Sequence, residues 1–469
     1  MLPDNVLLEI FDLCQWNHIR GGIFHTDVVW EWHILVHVCQ RWRHITFASP
    51  LRLNLRIFCT HGTPVRKSLG IWPTFPIIIG YEGWDRYEHH HGLRPTDEDN
   101  IIAALEHPSR VCEVWLNVTG AQLGRIATVM QEPFPALTHL MLWSEDRNVP
   151  VLPSQFLGRS APRLQGLSLR GIPFPTFPIL LLSTSDLTTL TLYDIPQTGY
   201  ISPEAMVSGL ATSTRLRYLY IGFRSPKSRP DQIRTPPTTQ TVLPALTSFE
   251  FRGVCEYLED FAARINAPLL DLIKINYLNQ LVDFEVPQLS RVIDHSEALK
   301  LPMYCSLTFD DCRTTFQFNP PESDPDFPPH VSINIECEGT DWQLSHLINV
   351  LSQISAVPSN VTALFIESGP TPEMSGPEDS DIDDIEWLQL LSLFSSAQEL
   401  GVAWCYSGYV SRTLEGLSGT MATEVLPALH TLSLTGQSVS SIENFIAGRR
   451  DSDHPVTTFN GKAESGQYQ

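Results

Sequence analysis

One stretch of the chain decides the fold: residues 134–142, which read FPALTHLML. Its leucines at 137, 140 and 142 form the triplet L-x-x-L-x-L, and a proline stands two residues before the first leucine. The triplet recurs at 164/167/169, 187/190/192, 388/391/393 and 429/432/434, and the copies at 164 and 429 carry the same proline. The copy at 388 lies in DIEWLQLLSLF, whose pattern favours a helix instead.

Degenerate copies with other apolar residues extend the series. They are Val111/Val114/Leu116, Leu216/Leu219/Ile221, Leu246/Phe249/Phe251, Leu270/Ile273/Ile275, Val361/Leu364/Ile366 and Ala397/Leu400/Val402. Successive copies start at 111, 137, 164, 187, 216, 246 and 270, which are steps of 23 to 30 residues. Such a period is typical of leucine-rich repeats, where each triplet forms one short strand of a parallel sheet. We therefore expect an α/β, leucine-rich-repeat-like solenoid over residues 101–450, with the parallel sheet on its concave face.

The segments between the triplets predict helices and irregular turns. Helical patterns run from 203 to 210 and from 257 to 265, and capping boxes stand at Thr340/Gln343 and Ser440/Glu443. No Asn follows the triplets to satisfy the turns, so we expect turns built by some of the 36 prolines. The period is lost from 276 to 340, which is either an insertion or a set of degenerate repeats.

The first sixty residues carry a different pattern. Residues 2–11, LPDNVLLEIF, place Val6, Leu7, Ile10 and Phe11 at helical spacing, and Pro3 suits the first turn. Residues 32–42, WHILVHVCQRW, form a second amphipathic helix. Helices this short are marginal alone, so each must pack on something else.

The spacing of these residues resembles the F-box, the helical motif that docks on the Skp-type adaptor of cullin-based ubiquitin ligases. The pattern L-P-x-x-[VL]-L-x-x-I-F is followed by V-C-x-x-W-R at 38–43, and the chain then continues in the manner of fungal F-box proteins with irregular leucine-rich repeats. The resemblance implies a substrate-recognition subunit that performs no chemistry. It implies that the adaptor is bound by Leu2, Pro3, Val6, Leu7, Ile10, Phe11, Leu35, Val38, Cys39 and Trp42.

Two alternatives stay open. The N-terminal helices could simply cap a plain repeat scaffold that has no part in ubiquitin transfer, or the chain could hold an unrecognised enzyme site. The sequence favours neither a catalytic residue nor a cofactor, because it lacks the phosphate-loop, dinucleotide, hydrolase and zinc-protease motifs. Three adjacent histidines, 89–91, cannot all point at one ion, so we expect an exposed loop and no metal site there.

Charge and composition limit the partners. With 31 basic and 52 acidic residues the net charge is −21, which argues against nucleic acid as a partner. Residues 1–60 are neutral and seven acids lie in 371–386, so a substrate protein that is basic would suit the repeat region. Trp143 and Trp404 are candidates for the substrate face.

The absence of targeting signals and the pattern of the cysteines suggest a cellular compartment for the protein. We find no secretory signal, no membrane span and no C-x-x-C pair among the nine cysteines, so we expect a cytoplasmic or nuclear protein. The expected organisation is an F-box at 1–60, a linker and first solenoid turn at 61–100, repeats at 101–450 and a disordered tail at 451–469. Loops that are disordered or functional are expected at 225–240, 319–330 and 371–386.

Overall fold

The structure is a computed structural model, and it describes most of the repeat region and both N-terminal helical segments. The described residues are 2–16, 32–49, 52–53, 55–61, 65–72, 74–81, 93–225, 240–278, 284–300, 304–310, 313–319, 329–336, 343–354, 357–368, 384–417, 421–435, 442–452 and 454–459. The loops predicted at 225–240, 319–330 and 371–386 lie almost wholly outside these ranges, as do the histidines at 89–91 and the first residue of each predicted capping box.

Each repeat enters its strand through a short turn that proline helps to form. In the opening stretch the Leu137 N–H donates to the Phe134 carbonyl at 3.2 Å, with Pro135 at the second position of the turn. The same bond joins Leu164 to Ala161 at 3.1 Å and Leu429 to Leu426 at 3.0 Å. Proline has the φ angle that this second position requires. Proline thus lies in the turns that precede the triplets, whereas the sequence prediction concerned the turns that follow them.

A ladder of main-chain carbonyls joins successive repeats where the strands begin. The Thr138 carbonyl accepts the N–H groups of Gln165 and Gly166 at 2.7 and 3.0 Å. The Gln165 carbonyl accepts the next pair in the same way, and the arrangement recurs at the carbonyls of Arg217, Thr247, Thr362 and Gln398. Main-chain groups thus join neighbouring repeats at the point where each strand begins.

The chain forms two compact units, residues 1–201 with 209–215, and residues 202–208 with 216–469. In its described residues the first unit has six strands, all parallel and in chain order. These strands are β1 (Ile57–Cys59), β2 (Ile77–Tyr81), β3 (Val111–Asn117), β4 (His139–Trp143), β5 (Gly166–Arg170) and β6 (Thr189–Ile195). Its helices are α1 (Asp4–Trp16), α2 (Trp32–Val38), α3 (Gln40–Ala48), α4 (Val65–Ile71), α5 (Pro95–Leu105), α6 (Gly120–Val129) and α7 (Phe177–Leu181), and α8 (Pro203–Leu210) crosses the boundary between the units.

The second unit continues the same construction. Its strands are β7 (Tyr218–Phe223), β8 (Thr241–Val242), β9 (Ser248–Gly253), β10 (Ile265–Asn266), β11 (Leu272–Tyr277), β12 (Tyr304–Asp310), β13 (Arg313–Asn319), β14 (Val331–Glu336), β15 (Ala363–Ser368), β16 (Glu399–Val402), β17 (Thr431–Leu434) and β18 (Thr457–Phe459). Its helices are α9 (Cys255–Arg264), α10 (Pro287–His295), α11 (Gln343–Gln353), α12 (Asp384–Ser392), α13 (Trp404–Glu415), α14 (Met421–Glu424) and α15 (Glu443–Asp451).

The sheet order in the second unit is β7-β9-β11-β14-β13-β12-β15-β16-β17-β18, and β8 pairs with β10 separately. All its pairings are parallel except those on the two sides of β13. β12, β13 and β14 form an antiparallel meander that replaces one repeat. The lost period between 276 and 340 is therefore an insertion into the repeat array, as one of the two sequence interpretations supposed.

The predicted parallel sheet and mixed α/β class are confirmed. The helices predicted at 203–210 and 257–265 correspond to α8 and α9, and the triplet at 388 lies in α12 as expected. The repeats differ in extent from the expected 101–450, because β1 and β2 precede residue 101 and β18 lies inside the predicted tail. Strand pairing with β3 and with β17 accounts for both extensions. None of the helices in the described ranges is long and apolar enough to span a membrane.

Candidate docking surface on the N-terminal helices

Helix α1 is apolar on two faces. One face holds Leu7 and Phe11, which are buried, with Phe11 fully enclosed. The other face is exposed, and we call it the α1 stripe: Leu2 is 51% exposed, Val6 37%, Ile10 38% and Leu13 68%. A helix that is hydrophobic all round is normally buried on both sides. The α1 stripe is therefore a surface that lacks a partner within the described part of the chain.

The sequence spacing explains both faces. Residues four apart lie nearly in line along a helix, so Leu7 and Phe11 form one line and Val6 and Ile10 a neighbouring one. Leu13 lies one turn beyond Ile10, and Leu2 precedes the helix. Pro3 stands just before the helix, and its carbonyl accepts a hydrogen bond from the Leu7 N–H at 3.1 Å.

The buried face of α1 packs on α3. The ring centroids of Phe11 and Trp42 lie 4.8 Å apart in an edge-to-face arrangement. The N–H of Trp42 donates to the Cys39 sulfur at 3.4 Å, so Cys39 caps α3. Trp42 is consequently held from both sides, and its position depends on Phe11.

Polar contacts fix the two helices against each other. The Arg41 guanidinium contacts the Asp4 carboxylate at 2.6 Å and donates to the Leu2 carbonyl at 2.5 Å, and Arg52 pairs with Glu9. All these groups are partly exposed to water, so each pair contributes at most about 1 kcal/mol of stability. Their main effect is to orient α1 so that its stripe points outward.

Helix α2 adds exposed apolar residues of its own. Ile34 and Val38, one turn apart, are 50% and 55% exposed, whereas Val36 between them is fully buried. The Arg43 side chain donates to the Val36 carbonyl at 2.9 Å, which ties α2 to α3. Exposed apolar residues thus occur on both helices that the sequence singled out.

The structure divides the ten residues implied by the F-box resemblance into three groups. Those exposed are Leu2, Pro3, Val6, Ile10, Val38 and Cys39; those partly buried are Leu35 and Trp42; and those buried are Leu7 and Phe11. The buried pair holds the helices together and is not available to a partner in this conformation. Sequence reasoning missed Leu13 and Ile34, although Leu13 continues the spacing of Val6 and Ile10.

The two tryptophans suggested for the substrate face lie in different units. Trp143 ends β4 and is partly exposed, with the Arg170 guanidinium carbon 5.8 Å from its ring centroid. Trp404 begins α13 and is 64% exposed. Trp143 is the last residue of β4, and Trp404 lies two residues after the end of β16.

A cluster of polar side chains lies near β1 and β2. His61 and the buried Asp97 share a 3.0 Å hydrogen bond, and the Cys59 sulfur lies 3.4 Å from the Tyr81 hydroxyl. Burial raises the pKa of the Cys59 thiol to about 12, so it is protonated and a poor nucleophile at neutral pH. Within the described ranges no group of three or more His, Cys, Asp or Glu residues is placed to hold a metal ion.

Known proteins resemble this chain in structure and not in sequence. No family model matches the chain, and no curated protein matches it. Among solved structures it is similar to the crystal structure of an internalin from Listeria monocytogenes, with a TM-score of 0.30 and 13% sequence identity over 76% of each chain. The strand register defines the chain as a mixed α/β repeat protein with a mostly parallel sheet.

Proposed function

We propose that this chain is the substrate-recognition subunit of a cullin-type (SCF) ubiquitin ligase. In this role the α1 stripe docks on a Skp-type adaptor, which connects it to the cullin, and the repeat region binds a substrate protein in the cytoplasm or nucleus. The observation that carries the proposal is the α1 stripe itself, since Val6, Ile10 and Leu13 are exposed on one side of the helix and Leu2 is exposed just before it. Their pattern suits a partner that is a helix or a groove between helices.

The energetics support a docking role. Fully burying one Leu, Ile or Val side chain contributes about 1.5–3 kcal/mol, and about half of that is left for side chains that are half exposed. Four such residues are sufficient for a specific contact when a partner covers them together. Left in water, the same residues would favour aggregation, so a bound state is the physically consistent one.

No chemistry is required of this chain in that role. A recognition subunit raises the effective concentration of substrate lysines near the ubiquitin-charged enzyme, and holding reactants together supplies the rate gain. This agrees with the protonated state of the buried Cys59.

The test compares exposed apolar residues of α1 with an exposed apolar residue of α4. We expect Val6→Ser with Ile10→Ser to abolish capture by a purified Skp-type adaptor while circular dichroism and the melting temperature stay unchanged. Ile71→Ser is the matched control, since Ile71 is 61% exposed on α4. Capture that survives the double substitution would overturn the docking role.

A second candidate is a plain protein-interaction scaffold whose N-terminal helices form a cap. It is favoured by the packing of Phe47 against Trp72 and Phe75, at 6.0 and 5.8 Å, which joins α3 to the segment just before β2. On this alternative the full chain would not bind any Skp-type adaptor. Deleting residues 1–49 would instead lower the stability of the first unit.

A further inference from the structure

Negative charge is concentrated in one part of the second unit. Residues 314–448 contain 18 acidic residues and one basic residue, Arg412, so this stretch carries −17 of the net charge of −21. Arg412 is already paired with Asp384 at 2.8 Å. The strands β12, β15, β16 and β17 contain no lysine or arginine at all. Carboxylates on this part of the sheet therefore lack cations on their own strands.

The register of β15 and β16 places two such carboxylates on the exposed face of the sheet. Glu367 lies on β15, and Glu399 lies on β16 opposite Ala363, four residues before Glu367. Both glutamates are exposed, whereas the alternate residues Leu364 and Ile366 are buried. A strand rises by about 3.3 Å per residue, so the Cα atoms of the two glutamates lie roughly 14 Å apart. Within the described part of the chain neither carboxylate pairs with a cation.

An aromatic ring lies between the two carboxylates. Phe365 stands two residues before Glu367 on β15 and is partly exposed. Its ring covers Gly401 on β16, where an added Cβ would lie 2.7 Å from the ring. Tyr304 on β12 packs edge to face against Phe365, with ring centroids 6.0 Å apart. The Ser306 hydroxyl donates to the Glu367 carboxylate at 3.0 Å and so fixes its position beside the ring.

Trp404 stands at the end of the same surface. The Ala403 N–H donates to the Ile366 carbonyl at 2.8 Å, which continues the pairing of β16 with β15 and places Ala403 beside Glu367. Trp404 follows at once and is 64% exposed. Among the described residues no cation lies over its ring. The β15–β16 surface is the name we give to Phe365, Glu367, Glu399 and Trp404.

The chemistry of the β15–β16 surface suits a basic partner. Carboxylates pair with lysine and arginine, and tryptophan is the side chain whose ring attracts cations most strongly. An acidic partner would be repelled by Glu367 and Glu399. An apolar partner would cover both carboxylates without giving them a counter-charge, which costs free energy. The surplus of negative charge in residues 314–448 adds an attraction for cations at longer range.

We infer that the β15–β16 surface binds an extended segment of the substrate protein that is rich in lysine or arginine. This rests on the proposed function, in which the repeat region holds the substrate, and it names the chemistry of that substrate. Residues four apart in an extended chain are separated by roughly 13 Å. Two cations of one segment therefore reach Glu367 and Glu399 together, while Phe365 and Trp404 contact their aliphatic stems and charged ends.

The experiment selects binders from random displayed peptides of about twelve residues, using the full-length chain as bait. We expect the selected peptides to be rich in Lys and Arg and poor in Asp and Glu. A synthetic peptide of the selected sequence should bind with a Kd that rises by about tenfold or more between about 50 and about 500 mM NaCl, because salt screens exposed charge pairs. Apolar or acidic consensus peptides, an empty selection or a Kd that salt leaves unchanged would each overturn the inference.

Substitutions distinguish the β15–β16 surface from the general acidity of the second unit. Glu367→Gln with Glu399→Gln should weaken the synthetic peptide by about tenfold, and Trp404→Ala by about fivefold, with part of the affinity restored in Trp404→Phe. The matched control is Glu424→Gln with Glu443→Gln, which removes two exposed carboxylates from α14 and α15. Equal weakening by the two double variants would overturn the inference, since net charge alone would then attract the peptide. Circular dichroism and the melting temperature show that each variant is folded.

Adaptor capture is measured on the same preparations, so that the two proposals are tested separately. Binding of the basic peptide without adaptor capture overturns the proposed function alone. Adaptor capture without binding of basic peptides overturns this inference alone.

Discussion

The Arg449 guanidinium donates to the carbonyl of Leu426 at 3.2 Å, and Leu426 has the left-handed φ of 51° that is uncommon for a residue with a side chain. Arg449 is fully buried and also donates to the carbonyls of Ala422, Pro427, Leu429 and His454. Burial lowers the pKa of Arg449, but an arginine still keeps its charge at neutral pH. One cation thus holds the turn that leads into β17.

We expect Arg449→Met to destabilise the second unit by about 3 kcal/mol, because it leaves buried carbonyls without donors while keeping similar volume. Urea unfolding followed by tryptophan fluorescence measures the change. Arg450→Met is the control, because the bonds to the buried carbonyls are made by the neighbouring Arg449. Equal unfolding midpoints for the two variants would contradict the role of Arg449.

The two faces of α1 should respond differently to truncation. Phe11→Ala should lower the free energy of unfolding by about 3–5 kcal/mol because Phe11 is fully buried against Trp42. Val6→Ala, on the α1 stripe, should change it by no more than about 0.5 kcal/mol. Thermal denaturation of both variants measures the two changes in stability. Similar losses of stability in Phe11→Ala and Val6→Ala would show that the α1 stripe is packed inside the protein.

The ion pair between Glu98 and Arg125 should make the first unit sensitive to acid. Arg125 donates to both carboxylate oxygens of the nearly buried Glu98, one of them at 2.7 Å, and these bonds lower the pKa of Glu98. A lowered folded pKa means that the stabilisation is present above the unfolded value, about 4.3, and is lost as pH falls through the folded pKa.

The melting temperature of wild type should therefore fall more steeply below about pH 4.5 than that of Glu98→Gln. Glu106→Gln is the comparison, because Glu106 makes only an exposed contact with Arg66 at 3.6 Å. Parallel pH profiles for wild type and Glu98→Gln would refute the contribution of this pair.

Gly158 should tolerate no side chain. Its φ is +58°, and an added Cβ would lie 2.6 Å from the Pro133 nitrogen. Gly158→Ala should cost about 2 kcal/mol or more, whereas Gly124→Ala, whose nearest contact is Pro150 at 3.7 Å, should be nearly neutral or stabilising. Urea midpoints measure both, and a harmless Gly158→Ala would disprove the strain.

Cysteine reactivity should follow burial. Burial raises the pKa of Cys59 to about 12 and that of Cys112 to about 11, whereas Cys39 is exposed. Brief treatment of the native protein with iodoacetamide should modify Cys39 and leave Cys59 and Cys112 intact until denaturant is added. Peptide mapping by mass spectrometry shows the order in which the cysteines are modified. Early labelling of Cys59 would contradict its burial.

Much of the fold was predictable because the triplets repeat. Leu140 and Leu142 were assigned to a strand from spacing alone, and Pro135 and Pro162 to turns, since these residues act through local geometry. The antiparallel meander around β13 was not resolved from the sequence, because alternation in a strand does not reveal the direction of its neighbour.

The candidate site was predictable only in part. The periodicity predicted one apolar face made of Val6, Leu7, Ile10 and Phe11, whereas the structure buries only Leu7 and Phe11. Which residues of α1 are buried depends on two tertiary contacts. One joins Phe11 to Trp42, and the other joins Asp4 to Arg41.

The carbonyl ladder at the strand entries has a consequence for how this chain can diverge. Main-chain oxygens at Thr138, Gln165 and Thr247 do most of the joining, and the Thr138 and Thr247 hydroxyls add bonds to the carbonyls of Cys112 and Arg217. Because main-chain groups carry the alignment, neighbouring repeats can gain or lose residues in their return segments without breaking it. An array built in this manner can change its surface rapidly over generations while its architecture persists.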